Sequence, residues 1–175
     1  MKIVLSTSDI TTVPTDAIVN AAHHLLRGGG GVDGAIHRAG GPTILADCIA
    51  RYPDGVPTGQ AGWTVAGNLP AEYVIHVVGP NYTAGQRDPA LLESCYRNAL
   101  RVADELGVRR LTLPAVSAGI YGWPAQSAAD IAVQTLLGTS SGVEEATFCL
   151  VEPRLYKAFS NAVATSSPPH RPGPG

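Results

Sequence analysis

Short apolar runs alternate with segments of helical periodicity along most of this chain, and that alternation leaves few folds open. Residues 2–5, 17–20, 63–65, 73–78, 111–116 and 147–151 read as strands. Helices are expected at 32–39, from about 42 to 51, at 88–106, from 124 to about 137, and at 153–164. The clearest is 88–106, where Leu91, Leu92, Cys95, Ala99, Val102, Ala103 and Leu106 recur at helical spacing and Gly107 supplies the stop. Strands joined through helices run parallel, so the fold class expected is α/β: a three-layer α/β/α sandwich with a mixed, mostly parallel central sheet. Residues 1–164 should form a single domain, followed at 165–175 by a Pro- and Gly-rich flexible tail.

Composition narrows the function classes. Of the 175 residues 45% are hydrophobic and 15% charged, enough apolar side chain for a sizeable core. No apolar run approaches the roughly 20 residues a membrane span needs, and the start lacks the central region of a signal peptide, so a cytoplasmic protein without membrane partners is expected; separately, a monomer is expected. A formal net charge of −2 argues against nucleic acid as a partner, because such binding relies on Lys and Arg neutralising phosphates. Cys48, Cys95 and Cys149 are far apart and form no C-x-x-C pair, so they are expected to be reduced and mostly buried. His23, His24 and His76 combine with no cysteine at zinc-ligand spacing; neither a metal nor a cofactor is expected.

Any phosphate must therefore be held by backbone, and two loops offer it. The first is Gly28-Gly29-Gly30-Gly31, followed by Val32 and Asp33 at the start of a helix, where unpaired N–H groups and the helix dipole favour an anion. Gly29, Gly31 and Gly34 match the spacing of a dinucleotide fingerprint, but residues 21–27 separate them from the preceding strand and no acidic residue stands at a strand end about 20 positions on. No Gly-Lys-Ser/Thr follows, which excludes a P-loop. The second loop, Ser117-Ala118-Gly119-Ile120-Tyr121-Gly122, also follows a strand. Ligands of such sheets sit beyond the carboxyl ends of the strands, so both loops could line one crevice, and two cradles suit a diphosphate.

Around them stand groups with two readings each. Asp33 and His37, four apart, share a helix face and could hold and orient a water, or serve as a first-turn acid and an ordinary histidine. Asn20 could bond a sugar hydroxyl or cap a turn; Asp9 could accept from an exocyclic amine or cap the turn at Thr11. Tyr121 and Trp123 could wall a ribose or base, or simply pack.

Asp9-Ile10-Thr11, the run from Asp16 through Asn20 to Ala22, the glycine run with Val32-Asp33-Gly34-Ala35-Ile36-His37, Val74-Ile75-His76 with Gly79-Pro80, and Pro114 through Gly122 together resemble the macrodomain family. The resemblance covers residues 1 to about 163 and is similar in particular to its hydrolytic MacroD-type branch. It implies an ADP-ribose pocket in which Asp9 contacts the adenine amine and Ile10 packs beside it. Asn20 would reach the distal ribose, and Gly29, Gly30, Gly31 and Val32 with Ser117, Ala118, Gly119, Ile120 and Tyr121 would wrap the diphosphate. Asp33 would sit by the anomeric carbon. Catalysis would rest on Asp33, His23, Asn20 and His37, without metal. The implied activity is hydrolysis of the ester joining mono-ADP-ribose to protein Asp or Glu side chains, with deacetylation of O-acetyl-ADP-ribose in the same pocket; the implied partners are ADP-ribose and mono-ADP-ribosylated proteins. A non-catalytic ADP-ribose reader is the alternative. The family pattern Asn-Ala-Ala-Asn reads here Asn20-Ala21-Ala22-His23. An imidazole in place of an amide is expected to preserve binding while altering turnover and its pH dependence.

Overall fold

A computed structural model of the protein describes residues 1–166. Six strands form one sheet: β1 (Lys2–Ser6), β2 (Ala17–Ala21), β3 (Ala61–Val65), β4 (Tyr73–Val77), β5 (Arg110–Leu113) and β6 (Glu145–Cys149). Their spatial order is β1-β6-β5-β2-β4-β3, every pair parallel except the antiparallel β3–β4 edge. The helices are α1 (Gly31–Gly40), α2 (Pro42–Arg51), α3 (Pro89–Glu105), α4 (Ala125–Gly138) and α5 (Pro153–Ser166).

The period of two along each strand divides the core. Ala17 and Val19 of β2, with Ile75 and Val77 of β4, join the large cluster under α3, α4 and α5, which includes Tyr96, Phe148 and Phe159. Ile18 and Val74, on the opposite face, join Ile36 of α1 and Ile44 and Cys48 of α2. The result is the expected α/β/α sandwich. Every residue of β2 but the last is buried, as a central strand covered on both faces must be.

The expected elements all form, with shifted ends. Pro114 can donate no ladder hydrogen bond, so β5 stops at Leu113 and residues 114–116 join the following loop. β6 lies two residues earlier than expected at each end, in register with β1 from Lys2↔Glu145 to Ser6↔Cys149. The polar turn after β1 contains a 3-10 turn, Ile10–Thr12, with Asp9 as its cap. α5 continues to Ser166, two residues into the segment expected as tail; residues 167–175 lie outside the described residues. No helix among the described residues is long and apolar enough to cross a membrane.

Candidate functional site

The segments that follow the five mutually parallel strands open into one cavity of about 820 Å³. Ser8, Asp9 and Ile10 come from beyond β1, Ala21 to His23 from the end of β2, and Gly79 from beyond β4. Ser117, Gly119, Ile120 and Tyr121 follow β5, and a wall from Cys149 to Leu155 follows β6. The glycine loop and the start of α1 close the remaining side. The size suits a ligand with many heavy atoms held in a cleft.

Both backbone cradles face this cavity. Gly28 and Gly31 have φ of +86° and +59°, left-handed conformations that only glycine adopts cheaply, and they bend the loop into the first turn of α1. Gly30 caps α1 without any side-chain hydrogen bond, so the first N–H groups of the helix remain free for an anion. In the second loop, Ala118, Gly122 and Trp123 spend their N–H groups on the turn itself, whereas Gly119, Ile120 and Tyr121 donate to no acceptor among the described residues. Ser117 is forced to φ +63°, a left-handed conformation uncommon for serine. Its buried Oγ makes no hydrogen bond within the protein although the residue lines the cavity. The loops meet across the opening: the Ile120 Cδ1 atom lies 3.5 Å and 3.7 Å from where Cβ atoms on Gly30 and Gly31 would stand.

Asp33 is buried at the α1 end of the cavity, 4% exposed. Its two oxygens are in different situations. Oδ1 accepts a hydrogen bond from Asn20 Nδ2 at 2.8 Å. Oδ2 lies on the side of the glycine loop, 3.2 Å from where a Gly29 Cβ would be, and both Asp33 and Gly29 line the cavity. Asp9 keeps its capping role: Oδ1 accepts from Thr11 N–H at 2.9 Å and Thr11 Oγ1 at 2.7 Å, and these two bonds hold its carboxyl below the usual carboxylate range. His23 is exposed on the rim. Its Nδ1 accepts from Leu25 N–H at 3.4 Å, which leaves Nε2 free, and its ring packs against His24 with centroids 4.2 Å apart.

Asp9, Ile10, His23, Gly29, Gly30, Gly31, Val32, Asp33, Ser117, Gly119, Ile120 and Tyr121 all line the cavity as expected. Three expected site residues do not. Asn20 is fully buried, because the strand period turns it toward α1; its Nδ2 meets Asp33 and His76, and its Oδ1 has no partner within the protein. Ala118 turns its methyl group into the core under α3 and α4 and offers only its carbonyl, which accepts from Arg154. His37 approaches Asp33, Nε2 to Oδ1 at 3.4 Å, but without hydrogen-bond alignment and outside the cavity lining. Trp123 is likewise a packing residue, edge-on to Tyr82 with its Nε1–H donated to Ser127 Oγ.

The wall at 149–155 went unnoticed in the sequence, although the rule that drew attention to the other loops applies to it equally, since it too follows a parallel strand. Burial first, and then nearby carboxylates, push the thiols of the free cysteines Cys48 and Cys149 up to about 11.

A family model for the macro domain matches residues 19–132. A macro domain-containing protein of Streptomyces coelicolor is 52% identical over 162 residues, covering 90% of this chain and 96% of its own. An O-acetyl-ADP-ribose deacetylase 1 of Pantoea vagans is 50% identical over 138 residues, covering 77% of this chain and 81% of its own. Among solved structures, an Oceanobacillus iheyensis macrodomain with ADP superposes with a TM-score of 0.86 at 35% identity, covering 92% of this chain and 89% of that one. A Trypanosoma brucei macrodomain in complex with ADP-ribose gives 0.83 at 38% identity over 92% of this chain and 68% of that one. Fold, cavity and relatives agree, and the chain belongs to the macrodomain family.

Proposed function

We propose that the protein binds ADP-ribose and hydrolyses it from acidic side chains of mono-ADP-ribosylated proteins, with O-acetyl-ADP-ribose as a second ester substrate. The observation that carries this reading is a single cavity in which two free-amide loops meet at Ile120 and a buried carboxylate, Asp33, stands beside one of them. Two amide cradles fit the two phosphates of a pyrophosphate. The turn at Asp9 follows the edge strand β1 and the wall at 149–155 follows its neighbour β6, so the adenosine is assigned to that side of the cavity and the distal ribose to Asp33, beside β2. The solved relatives whose descriptions name ADP or ADP-ribose support the ligand class, and the relatives described as O-acetyl-ADP-ribose deacetylases support ester cleavage.

The chemistry asked of the site is modest. A water held by Asp33 Oδ2 attacks the anomeric carbon; the bond from that carbon to the carboxylate oxygen breaks, the protein carboxylate leaves with the electron pair, and the water's proton passes to Asp33. A carboxylate is a good leaving group and needs no acid behind it. With the acetyl ester the same water gives a proton to Asp33 and adds to the carbonyl carbon; the acyl C–O bond then breaks, the ribose oxygen leaves with the electron pair and takes that proton back from Asp33, and acetic acid is released.

Incubation with an acid-linked mono-ADP-ribosylated protein tests the proposal. Wild type should release ADP-ribose, and Asp33→Ala should slow release by about 10² to 10⁴, the range of a lost general base, with affinity for free ADP-ribose changed far less. The reader alternative draws its support from His23, which stands where the family pattern has an amide. Tight binding by calorimetry with no product over hours would favour it.

A further inference from the structure

Behind Asp33 runs a chain of buried polar side chains that the reaction above does not use. Asn20, His76 and Thr64 sit on the adjacent strands β2, β4 and β3, and all three are 0% exposed. Asn20 and His76 are direct partners in the β2–β4 register. Asn20 Nδ2 lies 3.1 Å from His76 Nδ1, His76 Nε2 lies 2.9 Å from Thr64 Oγ1, and Thr64 Oγ1 is 3.0 Å from the Val65 carbonyl.

Two groups that only accept, the Asp33 carboxylate and the Val65 carbonyl, set the direction of the chain between them, and Cys48 Sγ, 3.8 Å from His76 Nε2, is a weak second neighbour of that nitrogen. The Val65 carbonyl only accepts, so the Thr64 hydroxyl donates to it and is left to accept from His76 Nε2–H. A neutral imidazole with its proton on Nε2 presents a lone pair at Nδ1, which accepts one N–H of Asn20. The other N–H of the amide is thereby aimed at Asp33 Oδ1. Reversing the amide would set its carbonyl oxygen against the carboxylate and against the imidazole lone pair. Burial, with His37 adding a smaller repulsion, keeps His76 neutral by pushing its pKa down to about 3.

We infer that His76 is a positioning residue for catalysis: seated on Thr64, it locks the Asn20 amide so that Asp33 Oδ1 is engaged and Oδ2 alone faces the cavity. This rests on Asp33 acting as the hydrolytic carboxylate. His76 does not line the cavity and reaches Asp33 only through Asn20. Its effect is therefore on rate, through the aim of Asp33, and a small misalignment of a catalytic group can cost about 10²-fold.

The test compares His76→Leu, which deletes the acceptor, with His76→Asn, whose Oδ1 can replace Nδ1, and with Thr64→Val, which removes only the seat of Nε2–H at nearly constant volume. Each is assayed for kcat and KM on the acid-linked substrate, for ADP-ribose affinity by calorimetry, and by side-chain amide and imidazole NMR. His76→Leu should lower kcat by about 10- to 100-fold with ADP-ribose affinity within about threefold, His76→Asn should recover most of the rate, and Thr64→Val should shift the imidazole nitrogen signals and lower kcat less. Wild-type kcat in His76→Leu, or equal loss of rate and affinity in the Leu and Asn variants, overturns the inference. If the wild type binds ADP-ribose but releases nothing, the hydrolytic reading of Asp33 fails and the positioning role fails with it. If release is seen and depends on Asp33 but not on His76, the positioning role alone fails.

Discussion

At the scale of single residues, the buried histidine has a consequence for stability that is independent of catalysis. In the unfolded chain His76 titrates near its ordinary value of 6.5, whereas in the folded protein burial holds it neutral down to about 3. Between those values the unfolded state binds the proton and the folded state does not, so stability is full above pH 6.5 and is lost as the pH falls toward 3. His37 strengthens the shift by repulsion and Asp47 opposes it. Between pH 7 and pH 5 this one group should remove on the order of 2 kcal/mol. Urea unfolding at both pH values should show that the wild type loses more than His76→Asn does; equal losses would mean that His76 is protonated in the native state. Asn20 shows why the role of such residues was only partly legible. Its place at a strand end was read correctly, but which neighbour it meets depends on the register with β4, a pairing between residues 56 apart in the chain. No local pattern carries that information.

Elements were more legible than their ends. The 3.6-residue period of α3 and the apolar runs of β2 and β4 are signals that survive without knowing the neighbours, because burial on one stripe or both faces fixes them. The ends of β5 and β6 are set by ladder partners and by Pro114, so they shifted. The glycine run before α1 was legible as a loop and helix start, and the close approach of that loop to α1 explains why a further glycine is needed inside the helix. A Cβ on Gly34 would collide with the Gly29 carbonyl and crowd Arg38 Nη1 at 2.9 Å. Gly34→Ala should therefore push the glycine loop away from α1, at an overpacking cost of about 1–3 kcal/mol. Since the loop supplies the amides of one cradle, part of that cost should appear in binding, as ADP-ribose affinity weakened roughly tenfold or more. Calorimetry on the folded variant decides it: unchanged affinity would show that the cradle does not depend on this close packing.

For the molecule as a whole, the order β1-β6-β5-β2-β4-β3 gathers into one crevice segments from near both ends of the described chain, from Ser8 to Leu155. The cavity also spans the two halves of the core, because α1 belongs to the cluster around Ile18 and Ile36, while the loop after β5 is rooted in the cluster around Phe148. A ligand held by both loops should bridge the halves, and opening either half should release it. ADP-ribose should thus stabilise the folded chain against global unfolding and not merely quiet a loop. At a free concentration about 100 times its Kd the gain is about 2.7 kcal/mol, which for a domain of this size corresponds to a rise in Tm of about 5–10 °C. Differential scanning fluorimetry across a ligand titration measures it. Asp33→Ala should keep most of the rise, because that carboxylate is assigned to rate, while Gly34→Ala should need more ligand for the same rise. Absence of any shift with millimolar ADP-ribose would show that the two cradles do not form a common binding site for this ligand.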